Sequence, residues 1–74
     1  MDLTVLVPGQ SGEVLRVTAD EGRRLQDLGL IPGAVVRCLF RSPMGDPIAY
    51  EICGVTVALR KTDAQKILLE RVWD

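Results

Sequence analysis

The sequence predicts a mainly β fold, a small and strongly bent barrel of five to six short strands with two short helices. Three observations predict it: runs of alternating apolar and polar residues, turn-forming residues between those runs, and helix signals confined to two connections. The chain has 74 residues, of which 47% are hydrophobic. Because a chain of this length folds around one small core, we expect a single domain spanning residues 1–74.

The first two strands are expected at residues 3–7 and 13–18. The first run is rich in β-branched and apolar side chains, and Pro8 and Gly9 end it. In the second run the apolar side chains do not alternate cleanly, which indicates a β-bulge or an edge position. The inward face of this second strand therefore stays open.

The next segment specifies a short helix, its end and a tight turn. Asp20 has the side chain of an N-cap, and the helix is expected to end at Leu28. Gly29 can adopt the left-handed conformation that closes a helix. Pro32 and Gly33 suit the centre of a type II turn, because proline presets one dihedral angle and glycine supplies the positive one.

Two further strands are predicted at residues 34–40 and 48–53. A loop dense in turn formers, residues 42–47, joins them as a hairpin and carries Met44 near its tip. Alternation with a period of two gives an inward set of Ala34, Val36, Cys38, Phe40, Ile48, Tyr50 and Ile52. Cys53 falls on the face opposite to Cys38, so no disulfide between them is expected.

The last third of the chain predicts a strand, a second short helix and a final strand. The strand is expected at residues 55–60, where apolar and polar side chains alternate. Thr62 and Gln65 have the spacing of a capping box at the start of a helix. In the final strand, residues 67–73, Ile67 and Leu69 are assigned to the core, and Trp73 is a further candidate for that side.

The composition argues against several classes of function. The chain has no histidine, so it lacks the usual general base near neutral pH and the commonest metal ligand. It has no phosphate-binding glycine loop and no regular series of oxygen ligands. We therefore expect no enzyme activity, no cofactor and no metal site. A net charge of -1 argues against sequence-independent binding of nucleic acid.

Two questions stay open at this point. Four arginines, Arg23, Arg24, Arg37 and Arg41, form either an ordinary solvated surface or a patch that faces an acidic partner. The barrel is of SH3-like type or of the oligonucleotide-binding type. The second type normally uses more residues and a basic, aromatic-lined face, which favours the SH3-like barrel. Three aromatic residues are also too few for a polyproline groove.

Several short elements follow one another in a characteristic order. In the first half these are Pro8-Gly9-Gln10-Ser11-Gly12 with Val14, and Arg24-Leu25 through Leu28-Gly29-Leu30-Ile31-Pro32-Gly33. In the second half they are Pro43-Met44-Gly45-Asp46-Pro47, Gly54, Ala58-Leu59-Arg60 and Ala64 through Ile67. With these elements in register, the chain resembles the FeoA family, the small cytosolic components of bacterial ferrous iron uptake.

The resemblance implies an SH3-like barrel that works with FeoB, a membrane protein with a cytosolic GTP-hydrolysing domain. It implies docking on that protein and modulation of its assembly or GTPase cycle. We expect a cytoplasmic protein that does not itself span the membrane, since no apolar run reaches the ~20 residues required. It would be peripheral at the inner membrane through its partner. Because a chain this short has a small margin of stability, weak self-association is an option, and the sequence leaves the oligomeric state open. The candidate partner contacts are Arg23, Arg24, Met44 and Asp46.

One alternative function comes from a different class. The same barrel is similar to the C-terminal domain of diphtheria-toxin-repressor-type metal regulators. A metal-sensing or divalent-metal-binding module would hold Fe²⁺ through Cys53 and nearby carboxylates. The sequence does not decide whether the chain activates or restrains its partner, or whether it binds iron.

Overall fold

A computed structural model describes residues 1–18 and 22–74. In this part of the chain, one antiparallel sheet contains β1 (Ser11–Val17), β2 (Val35–Arg41), β3 (Ile48–Ile52), β4 (Val55–Leu59) and β5 (Ile67–Trp73). The strands lie in the order β4-β3-β2-β1-β5. The helices α1 (Gly22–Asp27) and α2 (Lys61–Ala64) lie at connections, and a short 3₁₀ helix, Leu3–Val5, precedes β1. The predicted mainly β fold is confirmed.

The core contains buried side chains from all five strands, from α1 and α2 and from the 3₁₀ helix. Tyr50 is fully buried near its centre, and its hydroxyl donates a hydrogen bond to the backbone carbonyl of Leu3, at 3.2 Å. A buried phenol requires such a partner, and burial raises the pKa of Tyr50 well above its ordinary value. The inward positions predicted for Tyr50 and Cys38 are confirmed.

The strand predicted at residues 3–7 is wrong, because a 3₁₀ helix stands there instead. Asp2 caps this helix: its carboxylate accepts a hydrogen bond of 2.8 Å from the backbone N–H of Thr4 and a second from the Thr4 hydroxyl. Leu3 and Leu6 lie three apart and are both fully buried. A local cap and a helical spacing of apolar residues therefore overcome the β-branched composition.

Phe40 was assigned to the core, and this assignment is also wrong. Cys38 pairs with Tyr50, whereas Phe40 pairs with Ala49, so Leu39 is an extra residue in β2. An inserted residue moves every following side chain to the other face of the sheet. Phe40 is accordingly 58% exposed.

The ladder between β1 and β5 contains two similar irregularities. One leaves Leu15 as an extra residue in β1, so of the two alternatives for this strand the bulge is confirmed, and the edge position is wrong because β1 pairs on both sides. The other leaves Glu70 as an extra residue in β5. The second bulge places Trp73 outside the core, where it is 38% exposed and has the guanidinium of Arg71 5.3 Å from its ring centroid.

The end of α1 follows the prediction closely. The N–H of Leu30 donates to the carbonyl of Leu25, at 3.1 Å, and that of Gly29 to Gln26, at 2.8 Å. This pair of bonds is a Schellman cap, which requires the positive φ of +98° found at Gly29. The helix ends at Asp27, one residue earlier than predicted. The N-cap predicted at Asp20 lies outside the described residues.

The turn that follows α1 is also confirmed. The N–H of Ala34 donates to the carbonyl of Ile31, at 3.0 Å. Gly33 has a φ of +88°, as the third position of a type II turn requires. β2 begins directly after this turn.

Gly29→Ala is expected to lower the free energy of unfolding by about 2–3 kcal/mol in urea titrations. A Cβ at this position would lie 3.1 Å from Cγ2 of Ile52, so a steric cost adds to the strain of a left-handed residue, about 1–2 kcal/mol. Gly45→Ala is the matched control, since its φ is +83° and nothing lies within 4 Å. Equal losses in the two variants would contradict a packing role for Gly29.

Candidate docking cleft

The start of α2 is held by a carboxylate from a distant loop. The backbone N–H of Lys61 donates a hydrogen bond of 2.8 Å to Oδ1 of Asp46, which lies in the β2–β3 hairpin loop. The helix begins one residue before Thr62, and its N-cap, Arg60, makes no capping bond with its side chain. The capping box predicted from Thr62 and Gln65 is therefore wrong, because the remote carboxylate of Asp46 satisfies the first amide instead.

Asp63 of α2 connects the two helices. Its side chain is 14% exposed and accepts an ion pair of 2.9 Å from Arg24 of α1. Lys66 lies 3.8 Å from the other carboxylate oxygen. Because the Arg24 side chain is 60% exposed, water screens this pair, and a pair of this kind stabilises by about 0–1 kcal/mol.

A cleft of about 620 Å³ lies between α1, β4 and α2. Its walls are Arg24 and Leu28 on the side of α1, residues 57–59 of β4, and four residues in and around α2, namely Arg60, Thr62, Asp63 and Lys66. Three of the lining side chains are cationic, namely Arg24, Arg60 and Lys66, and one is a carboxylate, Asp63. The described lining thus has a formal charge of +2, opposite in sign to the net charge of -1 of the whole chain.

A smaller depression of about 370 Å³ adjoins the cleft and is lined by Asp46, Pro47 and Arg60. Arg60 borders both depressions. Met44, near the tip of the same hairpin loop, is 91% exposed. We call the cleft, the smaller depression and Met44, which precedes Asp46 by two residues in the same loop, the α2 face.

The four predicted partner contacts have different positions. Arg24 lines the cleft and Asp46 lines the smaller depression, so both lie on the α2 face together with Met44. Arg23 is exposed on α1 and lines neither depression. Whether any of these side chains binds a partner stays a prediction.

Sequence reasoning missed Arg60 and Asp63 as members of this surface. The signal that could have found them is the run Arg60-Lys61-Thr62-Asp63, which places three charges in four residues at a connection. The contact of Asp46 with α2 joins residues 15 positions apart, and no local sequence pattern predicts it.

Three of the four arginines lie in different surroundings. Arg24 pairs with Asp63. One Nη of Arg41 donates to the carbonyls of Thr4 and Leu6, at 2.9 and 3.1 Å. Arg37 stands opposite Glu51 in the ladder between β2 and β3. Arg41 thus fixes the N-terminal segment, and Arg24 is the member that lines the cleft.

The two cysteines are unpaired and lie in different environments. Cys38 is fully buried, and burial raises the pKa of its thiol. Cys53 is exposed and has a positive φ of +52° at the β3–β4 turn. Within residues 1–18 and 22–74, no three His, Cys, Asp or Glu side chains are grouped closely enough to hold a metal ion.

No helix in the described part of the chain has the length and apolar character needed to span a membrane. A five-stranded antiparallel sheet whose edge strands are connected through α2, with a charged cleft beside that helix, defines a small SH3-like barrel. The FeoA domain model matches residues 1–71. The chain belongs to the FeoA family.

Solved structures and a curated relative agree with this membership. FeoA from Chlorobium tepidum is 38% identical, with a TM-score of 0.85 over 93% of this chain and 68% of that one. FeoA from Stenotrophomonas maltophilia, solved with zinc and described as a prokaryotic SH3 domain protein, is 28% identical, with a TM-score of 0.84 over 95% of this chain and 89% of that one.

The curated relative is an Fe(2+) transport protein A/Fe(2+) transporter FeoB fusion protein from Porphyromonas gingivalis. It is 32% identical over 77 aligned residues, which cover 97% of this chain. This chain spans 9% of the length of that relative. The chain is thus a member of a family involved in ferrous iron transport, and one relative carries this unit in the same polypeptide as FeoB.

Asp46→Ala is expected to lower the free energy of unfolding by about 0.5–2 kcal/mol, the usual effect of losing a capping oxygen. Asp46→Asn keeps an oxygen acceptor for the N–H of Lys61 and is expected to unfold nearly as the unmodified chain does. Urea titrations with backbone chemical shifts of residues 60–64 measure both effects. Equal loss in the two variants would show that charge, and not the hydrogen bond, holds α2.

One thiol is expected to react rapidly with a disulfide reagent in the native protein, and two after unfolding. Cys53 is exposed, whereas Cys38 is buried and has a raised pKa, so its reactive thiolate is scarce and inaccessible. Absorbance after addition of the reagent counts the thiols. Cys53→Ser should abolish the rapid phase, and a rapid phase that survives this substitution would contradict the assignment.

Proposed function

We propose that this chain is an accessory protein of ferrous iron uptake that docks on the cytosolic part of FeoB and modulates its assembly or GTPase cycle. The observation that carries the proposal is the Porphyromonas gingivalis fusion, in which a FeoA unit and FeoB share one polypeptide. Joining two units raises their effective concentration for each other, which is useful where they interact.

The chain contributes a surface and not a reaction. Its sequence has no histidine, and its acidic residues with the best-defined contacts act in structure: Asp46 caps α2, and Asp63 pairs with Arg24. We keep metal sensing outside the proposal because no three His, Cys, Asp or Glu side chains among the described residues are grouped closely enough to hold a metal ion. The proposed unit is a single domain over residues 1–74 that acts in the cytoplasm, next to the inner membrane through its partner.

We assign docking to the α2 face and its neighbour Arg23. Met44 is almost fully exposed, and an unbranched thioether side chain adapts well to a second protein surface. The ion pair between Arg24 and Asp63 is largely exposed on the arginine side, so exchanging it for a carboxylate of the partner costs little.

Met44→Ala and Arg24→Gln are each expected to weaken binding of the chain to the isolated cytosolic part of FeoB by about tenfold, which corresponds to about 1.4 kcal/mol. Calorimetric titration measures the Kd. The matched control is Arg37→Gln, which removes the same charge from β2 at a position opposite Glu51 that lines neither depression. It should bind as the unmodified chain does.

Two results would overturn the proposal together. The first is a lack of binding between the unmodified chain and the cytosolic part of FeoB. The second is unchanged GTP hydrolysis and unchanged ferrous iron uptake when the chain is deleted. Binding that all three variants retain equally would contradict the α2 face while leaving docking itself in place.

A further inference from the structure

The two edge strands of the sheet, β5 and β4, differ in whether the N-terminal residues pair with their outer side. At the outer edge of β5, the N–H of Leu69 donates to the carbonyl of Met1, at 2.9 Å, and Asp2 forms an isolated antiparallel bridge with Leu68. The chain thus covers this edge with its own N-terminal residues. β4 is the opposite edge strand, and its outer side forms a wall of the cleft.

The register of β4 identifies the backbone groups at its open edge. Cys53 and Gly54 have φ values of +52° and +78°, and Ile52 pairs with Val55, which is the geometry of a two-residue hairpin. Antiparallel pairs alternate between bonded and non-bonded positions. Val55, Val57 and Leu59 therefore bond to β3, whereas Thr56 and Ala58 direct their N–H and C=O groups away from it.

No backbone hydrogen bond between the described residues occupies these outward groups of Thr56 and Ala58. Edge strands are often protected from pairing with a further strand by a proline, a charged side chain or a bulge. β4 contains no proline and no charged side chain, and it has no bulge against β3. Ala58 is exposed and lines the cleft. The side chain of Ala58 itself is a single methyl group, so it leaves room for a second strand beside its backbone.

The positive charge of the described cleft lining favours a segment that carries carboxylates. Arg24, Arg60 and Lys66 surround the edge, and Asp63 is the single carboxylate of the described lining. Arg24 comes from α1 and the other two from the segment around α2, and Arg24 and Lys66 both lie close to the carboxylate of Asp63. An extended segment with carboxylates on alternate residues would place negative charge near them while its backbone pairs with β4.

We propose that the cleft binds an extended acidic segment of the cytosolic part of FeoB, which adds as a strand to the open edge of β4. This inference rests on the proposed function and names the chemistry of the docking step. Main-chain hydrogen bonds to Thr56 and Ala58 supply part of the affinity. Arg24 and Arg60 select the acidic sequence.

Amide hydrogen exchange tests strand addition directly in the unmodified chain. On addition of the cytosolic part of FeoB, the amides of Thr56 and Ala58 should exchange at least about tenfold more slowly. Those of Val55 and Val57 should change less, because they already bond to β3. Equal slowing along all of β4, or none, would overturn the inference.

Two variants separate the backbone contribution from the charge contribution. Ala58→Pro removes one outward N–H and no bond to β3, a substitution that edge strands tolerate, and should weaken binding more than tenfold. Arg60→Gln should weaken it about threefold and reduce its dependence on salt, whereas Arg37→Gln should leave both unchanged. Chemical shifts of the core residues verify that each variant is folded, and the exchange measurement remains decisive if Ala58→Pro unfolds.

A peptide titration distinguishes failure of this inference from failure of the proposed function. The probe is a capped hexapeptide of alternating glutamate and valine, and its control replaces glutamate with lysine. We expect the acidic peptide alone to shift the amide signals of Thr56 and Ala58. The FeoB domain could bind while neither it nor the peptide affects the amide signals of Thr56 and Ala58. This result would overturn strand addition to β4 and leave the proposed docking on FeoB intact. If the peptide binds but the FeoB domain does not, the proposed function and the named partner are overturned.

Discussion

The missing side chain of Gly29 sets the distance between α1 and the β3–β4 hairpin. A β-carbon there would lie 3.1 Å from Cγ2 of Ile52, closer than ordinary packing allows, so the close approach depends on glycine. The same residue takes the positive φ that ends the helix. The chain then turns Leu30 into the core, where it is fully buried, while Leu28 stays 38% exposed beside the cleft. One conformational requirement thus positions both a core side chain and a cleft wall.

The opposite wall of the cleft is formed by α2, and the position of this helix depends on residues elsewhere in the chain. α2 has four residues, too few to be stable alone. Ala64 anchors it in the core, Asp46 binds its first amide, and Asp63 reaches Arg24 of α1. The geometry of the cleft is therefore assembled from the β2–β3 loop, α1 and the connection between the edge strands. A change in any of the three would therefore alter the shape of the cleft.

Features that arise from a single residue or from neighbours in sequence could be predicted. The turns at Gly29 and Gly33 are of this kind, because a positive φ is a local requirement that glycine satisfies best. Burial of Cys38 followed from simple alternation. Phe40, two residues later, did not, because the extra residue Leu39 reverses the faces and nothing in the local pattern marks it. The cleft could not be predicted for a related reason. Asp46 and α2 are distant in sequence, and the fold of the chain brings them together. The residues of the cleft could therefore be proposed one by one but not as a group.

The cations around the cleft also affect whether two copies of the chain can associate through their edge strands. An open edge strand can pair with the same edge of another copy, which leads to association. At β5 this chain prevents such pairing by covering the edge with Met1 and Asp2. β4 itself has no charged side chain, but two copies that approached through it would bring Arg24 and Arg60 of one copy towards those of the other. Like charges repel such an encounter and attract an acidic strand instead. The same side chains that would select a partner therefore restrain pairing between copies, although no backbone hydrogen bond from another described residue covers the outward groups of Thr56 and Ala58.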